Sequence, residues 1–212
     1  MCIKIDIKIL LFLVLFYIFN QHKIYLLFMA FIFLHEISHM LIGIILGAKP
    51  MELEIKPMGC SISFRYKIDD YNKKILKGNL VELKKIFIYI AGPLFNLIVG
   101  IIALLFIKSE EIFYINIIIA FFNLIAIYPL DGGRIFKCIL VLLYGELEGY
   151  KKVQNISNIS IIILLFISSI AILKYHTIGI ICGITYLCFI KIKYNKEIKN
   201  KIRVINMIID NN

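Results

Sequence analysis

His35, Glu36 and His39 stand inside the apolar run FIFLHEISHMLIGIILG, residues 31–47. Four positions apart, the two histidines stack on one face of a helix. Two imidazoles at that spacing can share a tetrahedral zinc ion. Glu36 lies on the adjoining face, where it can take a proton from a metal-bound water and later pass it to a leaving amine. The chemistry of such a set is hydrolysis. Ionisable side chains are costly at membrane depth, so three within five residues need a partner or a task.

Two histidines leave zinc short of a third protein ligand. The other histidines, His22 and His176, fall in loops assigned to the opposite side of the membrane from His39. Asp131, in FFNLIAIYPLDGGR, is the better candidate. Pro129 breaks the helix, and Gly132 and Gly133 let the backbone turn. An interrupted helix is tolerated at membrane depth only where protein or a cavity covers it. The same residues also read as a helix-ending turn capped by Asp131. His35, His39, Gly43 and Gly47 share one face, and so do Gly92, Asn96 and Gly100 in IYIAGPLFNLIVG; glycines there let another helix approach closely. Asn96 and Asn123 can each hydrogen-bond a substrate carbonyl, orient a ligand, or simply bind helix to helix.

The elements that must position these groups are membrane spans. The chain has 212 residues, is 61% hydrophobic and has a mean hydropathy of +0.90. A soluble domain is about half apolar, so this is an integral membrane protein. Six spans are expected, at roughly 5–19, 24–47, 85–107, 112–130, 157–173 and 177–191. Ile135–Tyr144 is too short to cross alone and reads as a half-helix after the PLDGG break. The first run follows Lys4 and Lys8 but has no small-residue cleavage site, so it reads as a retained helix.

Lysine and arginine gather in the loops on one side, leaving only Lys23, Lys108 and Lys174 on the other. The rich side is cytoplasmic, and both termini lie there. The net charge of +10 is therefore mostly topology, with attraction to anionic lipid as a secondary effect; no nucleic-acid partner is expected. In the Lys49–Lys85 loop, MELEIK and SISFRYK alternate apolar with polar on either side of PMG, which reads as a surface hairpin or as a solvated loop. Five scattered cysteines without a CxxC pair suggest neither disulfides nor a thiolate metal site.

HEISH, then AGPLFN, then an asparagine with PLDGG beginning at the sixth position after it, in that order on successive spans, resembles the site-2 protease family of intramembrane zinc metalloproteases. The likeness covers about residues 24–145 and is nearest the sporulation branch, the stage IV sporulation protein FB type. It implies an all-helical core with zinc held by His35, His39 and Asp131, and Glu36 as general base and acid. Asn123 takes the place of the family's asparagine eight residues before the aspartate, and Asn96 that of the third-span asparagine, both as substrate-binding candidates. Three features depart from the pattern. Ser38 stands where a glycine is frequent, Ala126 where a proline is frequent, and about 20 residues follow the last span where the sporulation proteases usually carry a nucleotide-sensing CBS domain.

The expected fold class is thus all-α, polytopic, with about six transmembrane helices and a short hairpin-like loop. Residues 1–192 form a membrane-embedded metalloprotease domain with its core at 24–145, and 193–212 form a basic cytoplasmic tail. The resemblance implies cleavage of a membrane-associated protein near the cytoplasmic face, with a sporulation sigma-factor precursor as the expected substrate. It also implies membrane regulatory proteins as partners and a place in the bacterial membrane, there the mother-cell-derived membrane around the forespore. A metal or ion transporter and a catalytically inactive partner-binding relative are the rival readings. Polar groups clustered at one depth and the lack of an inverted repeat weigh against the transporter.

Overall fold

The computed structural model describes residues 2–18, 20, 22–56, 59–65 and 74–175. The sixth expected span, His176 and the basic tail lie outside the described residues. The chain packs as two units, Met1–Asn123 and Leu124–Asn212.

The first unit opens with β1 (Cys2–Ile5), then α1 (Lys8–Ile18) and α2 (His22–Ile45). A hairpin of β2 (Lys49–Lys56) and β3 (Gly59–Arg65) follows. Then come α3 (Lys74–Ile102), a π-helical turn at Ala103–Ile107 and α4 (Glu110–Leu124). The hairpin expected from the alternation at 51–67 is present, and Cys2–Ile5 adds a third strand parallel to β2. The first span, expected at 5–19, therefore starts as a helix only at Lys8. Pairing of Cys2–Ile5 with Glu52–Ile55 satisfies the backbone instead, and Lys4 forms an ion pair with Glu52. Across the hairpin Leu53 pairs with Ile62, and both are buried. The irregularity between Pro50 and Glu52 falls where proline cannot donate to a ladder.

Two helical segments among the described residues are long and apolar enough to cross a membrane, His22–Ile45 and Asn79–Ile107. They carry the second and third expected spans. Near the end of α2 the Lys84 ammonium donates to the Leu46 carbonyl at 2.7 Å, a cation set against the negative end of a helix. Phe64 of β3 lies against Gly43, so the hairpin rests on α2.

In the second unit the fourth expected span ends early. Helix α4 stops at Leu124, Ile125–Leu130 is irregular with a cis Tyr128–Pro129 bond, and α5 (Asp131–Tyr144) starts at the aspartate itself. The half-helix expected over 135–144 therefore begins four residues sooner. Helix α6 (Glu146–Tyr175) also starts earlier than the span read at 157–173. Its first turns, ELEGYKKVQN, are polar and carry no apolar run. Gly145 (φ +80°) makes the turn between α5 and α6, and Gly149 packs against Val141. Lys152 sits over the Tyr144 ring and Lys137 over the Tyr150 ring, cation–π contacts that pin the two helices together. Ile127 and Ile161 form the core, with Ile125, Leu130 and Leu164 against them.

Candidate metal centre

One turn of α2 separates His35 from His39, and both rings are buried, at 2% and 4% exposure. The rings meet edge to face with centroids 4.7 Å apart. Their Nε2 atoms are 3.2 Å apart. Two nitrogens each about 2.0–2.1 Å from a tetrahedral zinc would be about 3.3 Å apart, so the pair is spaced as zinc requires. His39 Nδ1 lies 2.6 Å from the Ile88 carbonyl oxygen of α3. A carbonyl only accepts, so Nδ1 carries the proton and Nε2 keeps its lone pair for a metal. Zinc is the cofactor that these donors fit.

Gly92 explains how α3 reaches this position. A Cβ there would lie 2.4 Å from His39 Nε2 and 2.5 Å from His35 Nε2. The metal-facing edges of both rings therefore rest on bare backbone. Close packing on the face expected from Gly92, Asn96 and Gly100 is seen at both glycines, against the histidines at Gly92 and against Asn116 and Ile117 at Gly100. Ser38 does not disturb it, because its hydroxyl donates to the His35 carbonyl at 2.6 Å within α2.

Glu36 is half-buried on the adjoining face. Strand β3 passes close enough for its charge to act on Cys60: burial first, and Glu36 second, push the Cys60 thiol up to about 12. The sequence assigned no role to Cys60. Its nearness to Glu36 depends on how the hairpin lies on α2, which no local pattern encodes.

Asn96 is fully buried, and among the described residues neither its Oδ1 nor its Nδ2 has a hydrogen-bond partner. Asn123 is half-buried and donates from Nδ2 to the Ile119 carbonyl at 3.1 Å. A third amide, Asn116, escaped the sequence reading although it too is a polar residue inside an apolar run. It is fully buried and donates to the Ile112 carbonyl at 2.9 Å.

In the second unit Asp131 is buried in the first turn of α5, where the helix dipole favours a negative charge. It does not cap by side chain: the N-cap position is Leu130, in an extended conformation. The chain folds back tightly to start this helix. A Cβ on Gly132 would lie 2.1 Å from the Leu124 carbonyl oxygen, and one on Gly133 would lie 2.3 Å from the Tyr128 nitrogen. The Tyr128 amide donates to Ser157 Oγ at 3.1 Å, which meets the need of a backbone group freed by the break.

A buried, pre-oriented histidine pair beside a glutamate, on a helix long and apolar enough to cross a membrane, is the arrangement that an HExxH zinc site requires. The model of peptidase family M50 matches residues 109–167. That stretch holds Asn123 and Asp131 but not the histidine motif, so the two lines of evidence are separate. A zinc metalloprotease of Methanocaldococcus jannaschii is 31% identical over 155 residues, 68% of this chain and 42% of the relative. The chain thus spans about two fifths of that protein's length. The solved site-2 protease from Methanocaldococcus jannaschii superposes with a TM-score of 0.63 at 26% identity, over 88% of this chain and 87% of that one. In sequence and in fold alike, the chain is similar to peptidase family M50, the site-2 proteases.

Proposed function

We propose that this chain is an intramembrane zinc metalloendopeptidase that hydrolyses a peptide bond of a membrane-associated protein near the cytoplasmic face. The observation that carries the reading is the His35–His39 pair, with Nε2 atoms 3.2 Å apart and His39 held in the metal-binding tautomer by Ile88. His35, His39 and Asp131, each buried and each offering one donor atom, are the proposed ligands. When bound, zinc polarises the scissile carbonyl and acidifies water.

Every other task falls to the chain's own groups. Glu36 takes the proton from the attacking water and returns it to the leaving amine. Asn123 holds the backbone of the substrate, which must leave its helix for a peptide bond to be reached; Asn96, expected from the sequence to share that task, is fully buried and presents no surface to a substrate. The exposed side of β3 pairs with the unwound segment by strand addition. Residues 1–192 act as one membrane-embedded domain, with both termini in the cytoplasm. Following the resemblance, the substrate is a sporulation sigma-factor precursor in the membrane around the forespore.

The test is zinc content of the detergent-purified protein, wild type beside His39→Ala and Asp131→Ala. The expected result is about one zinc in the wild type and its loss in both variants. Full retention by Asp131→Ala removes the third ligand from the scheme. Glu36→Gln should keep zinc and lose cleavage of a co-expressed sigma-factor precursor. Cleavage of other membrane proteins but not of that precursor would leave the peptidase and remove the sporulation role.

A further inference from the structure

A buried serine on α6 reaches the break that precedes Asp131. Ser157 and Ile161 are four apart on that helix, so they share a face, and both are buried. Ile161 packs with Ile127, and Ile125, Leu130 and Leu164 lie against them. The face that carries Ser157 thus meets the irregular stretch between α4 and α5, and Leu130 in that stretch is the residue before Asp131.

The N–H groups of this stretch can be accounted for from Ile127 to Leu130. Ile127 N–H donates to the Ile125 carbonyl at 2.7 Å, and Leu130 N–H to the Ile127 carbonyl at 2.8 Å. Pro129 has no N–H to place. Tyr128 N–H donates to Ser157 Oγ at 3.1 Å. The stretch meets its own needs at Ile127 and Leu130 and takes an oxygen from α6 at Tyr128. The same nitrogen lies against α5. A Cβ on Gly133 would be 2.3 Å from Tyr128 N and 2.4 Å from the Ile127 carbonyl carbon. Gly133 belongs to the first turn of α5, two residues after Asp131, and Arg134 N–H closes that turn on the Leu130 carbonyl at 2.9 Å. Tyr128 is therefore held by Ser157 while it packs on the turn that carries the aspartate.

We propose that Ser157 is a positioning residue for Asp131. It acts through Tyr128: fixing that amide fixes the stretch packed on the first turn of α5, from which the carboxylate projects. The role rests on the reading of Asp131 as a zinc ligand. A ligand atom has to be placed to within about 0.2 Å, so a small shift of this turn is felt at the metal.

Zinc affinity is read by chelator competition on the full chain in detergent. Ser157→Ala should weaken it about tenfold, the low end of what loss of an orienting partner costs a metal site. Ser157→Thr keeps the oxygen and should stay within about twofold of wild type, whereas Ser157→Val, the same shape without the oxygen, should fall about tenfold. The Asp131→Ala background, read with a weaker chelator, separates positioning from general damage. Adding Ser157→Ala there should change affinity by less than about twofold, since the group it acts through is gone. Wild-type affinity in Ser157→Ala, threonine no better than valine, or a loss as large without Asp131 as with it overturns the proposal. If Asp131→Ala keeps zinc in full, the ligand reading fails and the positioning role falls with it. If Asp131→Ala loses zinc and Ser157→Ala does not, the ligand stands and only the positioning role is lost.

Discussion

Gly92→Ala adds a single methyl group at the point where α3 meets the histidines. That methyl would sit 2.4 Å from His39 Nε2, 2.5 Å from His35 Nε2 and 2.5 Å from His39 Cε1. Ordinary contact for a Cβ begins at 3.4 Å, so the rings must retreat by about 1 Å or α3 must shift outward. Either movement separates groups that a zinc ion needs at about 2.0–2.1 Å. Retreat of α3 also stretches the His39–Ile88 hydrogen bond, and loss of such an orienting partner alone weakens metal binding by about 10- to 100-fold. The combined loss in zinc affinity should reach about 100-fold, or roughly 2.7 kcal/mol. Ala is the better helix former by about 1 kcal/mol, so the variant should insert and fold. Competition with a chelator of known affinity, in detergent, reads the result. Gly100→Ala is the control, because its methyl meets neighbours at 3.5 Å, within ordinary contact. Zinc affinity unchanged in Gly92→Ala would refute the placement of α3 against the rings.

Gly132→Ala should be far more damaging to folding than to metal chemistry. Its methyl would lie 2.1 Å from the Leu124 carbonyl oxygen, a backbone atom that no rotamer change can move. Yield and Tm in detergent should both fall, with a loss of at least about 3 kcal/mol. Ser38→Gly should change cleavage less than about twofold, because the hydroxyl bonds only within its own helix, with a cost near 0.5 kcal/mol. In a variant whose only cysteine is Cys60, maleimide labelling should be slow at pH 8, since the raised pKa keeps the thiol protonated until the pH nears about 12. Glu36→Gln removes a charge that raises that pKa, so it should speed labelling at fixed pH; no change would place β3 away from Glu36.

The histidine motif was legible because two local signals coincide there. A four-residue spacing fixes a shared face, and charge inside an apolar run demands a reason. The hairpin was legible from the alternation in MELEIK and SISFRYK. The strand Cys2–Ile5 was not, because its partner begins at Glu52 and nothing in four residues names a partner so distant. The end of α4 was misplaced because Ile125, Ala126 and Ile127 are as apolar as the helix before them. What stops the helix is Pro129, which cannot donate to the ladder, together with the fold-back that Gly132 and Gly133 permit. The start of α6 was missed for the opposite reason, since a search for apolar runs passes over ELEGYKKVQN. Gly92 was read correctly as a packing residue, but which side chains press on it is a tertiary fact.

The anchor of His39 is a main-chain carbonyl, Ile88 O. A side-chain anchor can be deleted by one codon change; this one cannot, since every residue at position 88 brings the same oxygen. Heritable damage to the ring's orientation must therefore come through geometry, by whatever bends or displaces α3. Random mutagenesis should accordingly find few lesions at position 88 and many at the small residues that let α3 approach.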